Sequence, residues 1–288
     1  MTEEGELTVL HADGPTFSQA DSKYFYHLRT KNGEDLTLHF VGEGPDVISG
    51  SIVEVRGVRA GNAVALESAG GDNLRVVYSQ PTGHTVKPTA VIRADFSDRS
   101  VSITEDTLRG VVFTNPMSAD DFYQEQSFGE VSYVEPTGDD IFGPFTIPYS
   151  YTPCNYMAWM AAADQAAASL GFVRSNYSNI IYSFPSSGCG YAGLGSIGGY
   201  PGLAMFFGSY SATLFSDLTS HELGHNHGGG HASSYTCTGA GGVRVTLSGT
   251  CTPSEYGNPS DVMGVGSVNS YRHMNTFLKG RLNWYGPE

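Results

Sequence analysis

Residues 221–231 of the 288-residue chain read HELGHNHGGGH. Histidines four apart project from one face of a helix, one turn above the other, so His221 and His225 can offer two imidazole nitrogens to a single ion. A zinc ion that acts on water needs three protein ligands and an open fourth position, so a third donor must follow. Gly228 provides the route. Three residues past His225, a glycine can take a positive φ, end the helix and swing the chain back, and His231 arrives three residues later. Glu222, beside the first ligand, points past the ion toward its water, where a carboxylate can take a proton and return it to a leaving amine. The expected cofactor is therefore Zn2+, held by His221, His225 and His231, with Glu222 as general base. His227, two residues after His225, faces away from that ion on a continuing helix. An ordinary helix end could carry HELGH alone; the glycine and third histidine in register favour the metal.

The helix that must present these residues reaches back through 211–220, where Leu214, Phe215 and Leu218 recur at helical spacing. Before it, NIIYSF (179–184) and LAMFF (203–207) are apolar runs of buried-strand length on either side of the glycine-rich GCGYAGLGSIGG. Residues 90–96 read as a strand and 119–126 as a short helix. Residues 152–171 read as a helix capped by Thr152 and ended by Gly171, and 270–279 as a last helix stopped by Gly280, with Met274, Phe277 and Leu278 inward. Strands mixed with helices indicate an α/β or α+β fold. Residues 6–78 are short β-type runs broken by turn residues, which suits a small all-β barrel or sandwich. The proline-containing stretch 79–89 separates the two, giving expected domains at 1–85 and 86–288.

Four cysteines, Cys154, Cys189, Cys237 and Cys251, lack the spacing of a thiolate metal site and suggest two disulfides. The segment between Cys237 and Cys251 reads as a hairpin that brings its ends together, which leaves Cys154 for Cys189. Such bonds fit an oxidising, extracellular location. The charge of −14, with only four lysines, argues against a nucleic-acid partner, and no apolar run is long enough to span a membrane. The acidic 1–6 stretch lacks the basic lead-in of a secretion signal, so any signal is expected to have been removed. His11, His27, His39, His84 and His273 have no partner spacing and read as surface or packing residues.

The segment 221–231 matches the metzincin signature in full, and SDVMG at 260–264 is similar to the Met-turn that follows it, with Met263 as a packing floor beneath the zinc. Within that group the chain resembles the gametolysin-like family over roughly residues 88–288. HELGHN (221–226), HAS (231–233), FPSSGCGYAGLG (184–195) and FYQEQSFG (122–129) carry the resemblance. It implies a secreted endopeptidase acting on extracellular-matrix or cell-wall glycoproteins, in some cases made with an N-terminal pro-region. His227 with Gly229 and Gly230, and Val265 where some relatives have a tyrosine, depart from the pattern. Substrate is expected to bind extended along a sheet edge at 191–197, to a monomer. The 1–85 domain is then a pro-domain or a substrate-binding accessory. A thiolate switch from it is impossible, because no cysteine precedes Cys154; latency would need an acidic side chain, His84 or steric cover. The alternative is a matrix- or glycan-binding adhesion protein with a structural metal site.

Overall fold

The computed structural model describes the chain except residues 16–17, 19, 70–72, 80–85, 101, 209–211, 248–250, 265–271 and 286–288, and the side chains of 212–215. The first 78 residues form β1 (Thr2–Asp13), β2 (Lys23–Thr30), β3 (Asp35–Phe40), β4 (Ile52–Arg56), β5 (Val58–Ala60), β6 (Ala63–Leu66) and β7 (Leu74–Tyr78). There follow β8 (Val86–Asp95), α1 (Glu105–Arg109), α2 (Ala119–Gln126), β9 (Ser132–Val134), β10 (Ile141–Thr146), α3 (Tyr156–Ala168), β11 (Asn179–Phe184), β12 (Gly193–Ser196) and β13 (Gly202–Phe207). The chain continues through α4 (Ala212–Asn226), β14 (Ser234–Thr236), β15 (Thr252–Ser254) and α5 (Thr276–Arg281). The fold is mixed α and β, with one large sheet and few helices, in keeping with an α+β reading.

Alternation along the strands explains how the sheet is covered. Ala90, Ile92 and Ala94 of β8, Ile180, Tyr182 and Phe184 of β11, and Leu203, Met205 and Phe207 of β13 point to the face where Trp159 and Met160 of α3 pack. Val91, Ile181, Ala204 and Phe206, one residue out of step, point to the opposite face, toward Leu218 and Leu223 of α4. Both faces are covered, which is why β11 and β13 read as uninterrupted apolar runs. β10, β8, β11 and β13 are parallel neighbours, and β12 joins β13 antiparallel.

A third apolar cluster, Leu7, Val9, Leu28, Leu36, Leu38, Val53, Val55, Val64, Leu66 and Leu74, is drawn from the first 78 residues. β1 links it to the rest. Its first half pairs with β4, its middle with β2, and Leu10–Asp13 pair antiparallel with β12, so the sheet is continuous across both halves. Leu10 and Ala12 leave the N-terminal cluster and pack on the α3 face. Gly5 sits where the strands crowd: a Cβ there would lie 2.3 Å from the Arg29 carbonyl oxygen.

Local capping corrects two helices. α3 starts at Tyr156, not near Thr152, because Asn155 takes the cap, accepting from the Ala158 amide at 3.4 Å. Gly171 does lie in the left-handed region, at φ +91°. The last helix starts at Thr276, where Asn275 accepts from the Leu278 amide at 2.9 Å, and runs through Gly280 to Arg281. Met274 is buried ahead of it, and Phe277 faces solvent instead of the core. α2 occupies the expected 119–126. Both disulfides form as expected, Cys154 to Cys189 and Cys237 to Cys251. The second closes just beyond the β14–β15 pair, whose register ends at Thr236 opposite Thr252. No helix among the described residues is long and apolar enough to cross a membrane.

Candidate metal and catalytic site

α4 ends as the glycine spacing requires. The Gly228 amide donates to the His225 carbonyl at 2.7 Å and the Gly229 amide to the Gly224 carbonyl at 3.0 Å, with Gly228 at φ +92°. This paired 5→2 and 6→1 arrangement reverses the chain after one left-handed residue. His231 comes back beside His221 and His225, with ring centroids 5.3 and 4.9 Å away.

Each of the three imidazoles is fixed through its Nδ1, which lies 2.7 Å from the Val262 carbonyl oxygen in His221, 2.8 Å from the Gly229 carbonyl oxygen in His225 and 2.9 Å from Glu255 Oε1 in His231. These oxygens only accept, so Nδ1 carries the proton and Nε2 presents a lone pair. The three Nε2 atoms converge on one carboxylate, that of Asp13: 3.3 Å from His221, 3.4 Å from His225 and 3.0 Å from His231. Lone pairs facing a carboxylate repel unless a proton or a cation lies among them. The donor set fits a metal ion on this ground, imidazole nitrogen and carboxylate oxygen both being metal ligands. His11, Asp13, His225 and His231 each offer a ligand atom, and these atoms lie within 4.8 Å of one another.

Asp13 and His11 were not legible as site residues; His11 in particular is no surface or packing histidine. Its Nδ1 is 3.3 Å from Asp13 Oδ2, and its ring lies 4.2 Å from that of His231 and 5.0 Å from that of His225. Burial lowers its pKa to about 4, against the pull of Asp13, so it stays neutral near pH 7. Strand alternation brings both residues here. With Leu10 and Ala12 turned to the α3 face, His11 and Asp13 must turn to the α4 face. Burial works to raise the Asp13 carboxyl; positive charge placed among the surrounding imidazoles, at His221 foremost, outweighs it and holds the carboxyl well below the usual carboxylate range, in line with the need for a proton or cation among these groups. Tyr256 donates to Asp13 Oδ1 at 2.6 Å, and its ring lies 3.8 Å from that of His231. Burial works to raise Glu255, yet the hydrogen bond and charge of His231, together with His11 and Ser22, hold it below its usual range.

Glu222 lies 0% exposed beside this cluster, and among the described residues its carboxyl faces that of Asp13 and no other hydrogen-bonding group. Burial, then the Asp13 carboxylate, push its carboxyl well above the usual range. Two glycines of β12 make room for it: a Cβ on Gly193 would lie 1.9 Å from Glu222 Oε1, and one on Gly195 2.8 Å from Oε2. The GLG of the glycine-rich segment is thus shaped around Glu222. Met263 is fully buried under α4, where a Cβ on Gly224 would lie 2.2 Å from its sulfur. Asp261 anchors this turn by accepting from the amides of Met263 at 2.9 Å and Asn275 at 2.7 Å.

The other singled-out residues lie elsewhere. His227 points away from the cluster, its Nε2 2.9 Å from the Tyr133 hydroxyl, between Tyr123 and Trp284. His27 contacts the Tyr156 hydroxyl and His273 the Gln126 amide. His84 and Val265 lie outside the described residues. The 191–197 edge exists as β12, but β1 already pairs with it. A cleft of about 740 Å³ bordered by Tyr24, Tyr26, Phe40, Gly228 and Glu255 lies alongside; the three histidines and Glu222 are not among its walls.

No protein-family model matches the chain, and no curated protein matches it. Among solved structures, one described as "Structure of a chaperone-substrate complex" aligns with 92% of this chain and 54% of its own, at 9% identity and a TM-score of 0.33. This chain spans about half the length of that one, and a likeness so loose carries no argument.

Proposed function

We propose that the protein is a secreted zinc-dependent endopeptidase of the metzincin group, similar to the gametolysin-like enzymes, acting on extracellular-matrix or cell-wall proteins. The observation that carries this reading is Glu222. A buried carboxyl that faces only another carboxyl costs on the order of 1–3 kcal/mol or more, and such an arrangement persists where a function requires it. It stands next to three imidazoles whose Nδ1 protons are pinned and whose Nε2 atoms converge. Zinc bound there supplies Lewis acidity toward a peptide carbonyl and acidifies water. His221, His225 and His231 hold the ion, and Glu222 takes the proton from water and delivers it to the leaving amine. Met263 supports the histidines from below, packed against Gly224. The two disulfides suit the extracellular location.

A second reading has its own observation. Structural zinc sites are closed by four protein ligands, and Asp13 stands where a fourth would be. On that reading the protein is a matrix- or glycan-binding adhesion protein. Glu222 weighs against it, because a structural site has no use for a second buried acid beside its ligands. Mass-spectrometric profiling of a peptide library incubated with the zinc-loaded chain separates the two. Cleavage that disappears in Glu222→Ala supports the peptidase; absence of cleavage in every form of the chain, including those with Asp13 replaced, supports the adhesion protein.

A further inference from the structure

The sheet face that carries His11 and Asp13 to the histidine cluster continues outward as a row of aromatic rings. Residues paired across antiparallel strands share a face, so Tyr24 lies beside His11 and Tyr26 beside Val9, with Leu38 next to Tyr26 on β3. Ring centroids lie 4.3 Å apart from His11 to Tyr24, 6.2 Å from Tyr24 to Tyr26 and 5.0 Å from Tyr26 to Phe40. Tyr24, Tyr26 and Phe40 line the cleft of about 740 Å³. We infer that this cleft is a saccharide-binding site. It takes a short neutral oligosaccharide whose C–H faces lie against the three rings and whose hydroxyls meet the carboxylates of Glu43 and Glu255. The inference holds whether the chain is a peptidase or an adhesion protein.

Size and shape come first. The cleft falls within the range of about 300–1,000 Å³ usual for small-ligand sites. Tyr24 is still 44% exposed in it, so this part of the row is not sealed into a core. The loop after β3 forms another stretch of wall and is pressed onto Tyr26: a Cβ on Gly44 would lie 1.9 Å from the Tyr26 hydroxyl oxygen. Only a glycine lets loop and ring meet there.

Charge then selects the ligand class. Three wall carboxylates, Glu43, Asp46 and Glu255, stand against Lys23 and Arg281, and Arg281 lies 3.8 Å from Asp46. In a chain of charge −14 this near balance favours neither a polyanion nor a polycation. A purely apolar ligand would strip water from Glu43 and Glu255 and offer them no hydrogen bond. A sugar ring meets both demands, having an apolar face for an aromatic side chain and a rim of hydroxyls that donate to carboxylates. Glu255 also joins the cleft to the cluster. Its Oε1 lies 2.9 Å from His231 Nδ1 while its side chain is 20% exposed, so a bound sugar sits one side chain away from His231. If the peptidase reading holds, the glycan of a glycoprotein substrate is held beside the cluster.

The test uses the full-length chain loaded with zinc. The probes are neutral trisaccharides and tetrasaccharides of glucose, galactose, N-acetylglucosamine and arabinose, titrated calorimetrically to millimolar concentration. At least one is expected to bind wild type, and Tyr24→Ala to weaken it by about tenfold or more, as removal of a central ring does. Tyr24→Phe keeps the ring and should bind within about threefold of wild type. If Tyr24→Ala misfolds by circular dichroism, Glu43→Ala, on an exposed loop, carries the comparison with a several-fold loss expected. An immobilised polysaccharide, beside a glycoprotein before and after enzymatic deglycosylation, tells a free polymer from a protein-linked glycan; retention that follows the sugar supports the site. Binding of no saccharide, or binding unchanged in both alanine variants, overturns it. So does retention that survives deglycosylation when the polysaccharide is not retained, or tight binding of an arginine- and lysine-rich peptide that no sugar displaces, since the rings would then serve a cation.

Discussion

His225 shows how one side chain is divided between fold and chemistry: Nδ1 is committed to the Gly229 carbonyl, and only Nε2 is left for an ion. His225→Ala or His231→Ala should therefore lose the metal and hydrolysis together, as elemental analysis beside a peptidase assay will show. Glu222→Ala should keep one zinc per chain and lose about a hundredfold to ten-thousandfold in rate, the usual contribution of general acid and base help. Gly193→Ala tests the same carboxylate from the other side. Its methyl would occupy the place of Glu222 Oε1, so hydrolysis should fall sharply while zinc content is unchanged. A drop confined to melting temperature, with the rate intact, would show that Gly193 serves packing alone. Met263→Leu conserves volume and should cost less than about 1.5 kcal/mol by thermal melting, leaving the metal in place.

At the scale of elements, the C-terminus of α4 decides whether His231 reaches the ion. Gly228 holds φ +92°, where an L side chain costs about 1–2 kcal/mol, so Gly228→Ala should lower thermal stability by that amount. It should also weaken zinc retention against a competing chelator, whereas Gly230→Ala, with open space around its Cβ, should do neither. This element was legible in the sequence because its signal is local: helix spacing, a positive-φ glycine and a histidine all fall within eleven residues. The buried strands β11 and β13 were legible for a similar reason, as continuous apolar runs between two covered faces. Helix starts were less so. Thr152 and Asn155 are both competent caps, and only the folded backbone shows that Asn155 Oδ1 meets an amide. Phe277 sits at a helical spacing that suits the core, yet on α5 it faces solvent while its neighbour Leu278 is buried.

Across the whole molecule, the missing part of the site lies far away in sequence. Asp13 meets His231 across 218 residues and Tyr256 across 243, and no spacing rule reaches so far. Only the β1–β12 register places Asp13, and not another acidic residue near the N-terminus, among the histidines. The disulfides act at this scale too. Cys237–Cys251 encloses a short loop, for which the entropy model gives about 3 kcal/mol, so reduction should lower the melting temperature and unreduced protein should titrate no free thiol. One comparison separates peptide hydrolysis by a histidine-held zinc with Glu222 from any other source of cleavage. Peptide cleavage should be measured at equal zinc content with and without Glu222→Ala, in both the wild-type and the Asp13→Ala chains. Cleavage should fall by about a hundredfold or more in whichever background cleaves. Cleavage that survives loss of Glu222 at full zinc content, or no cleavage in either background, would contradict hydrolysis by zinc and Glu222.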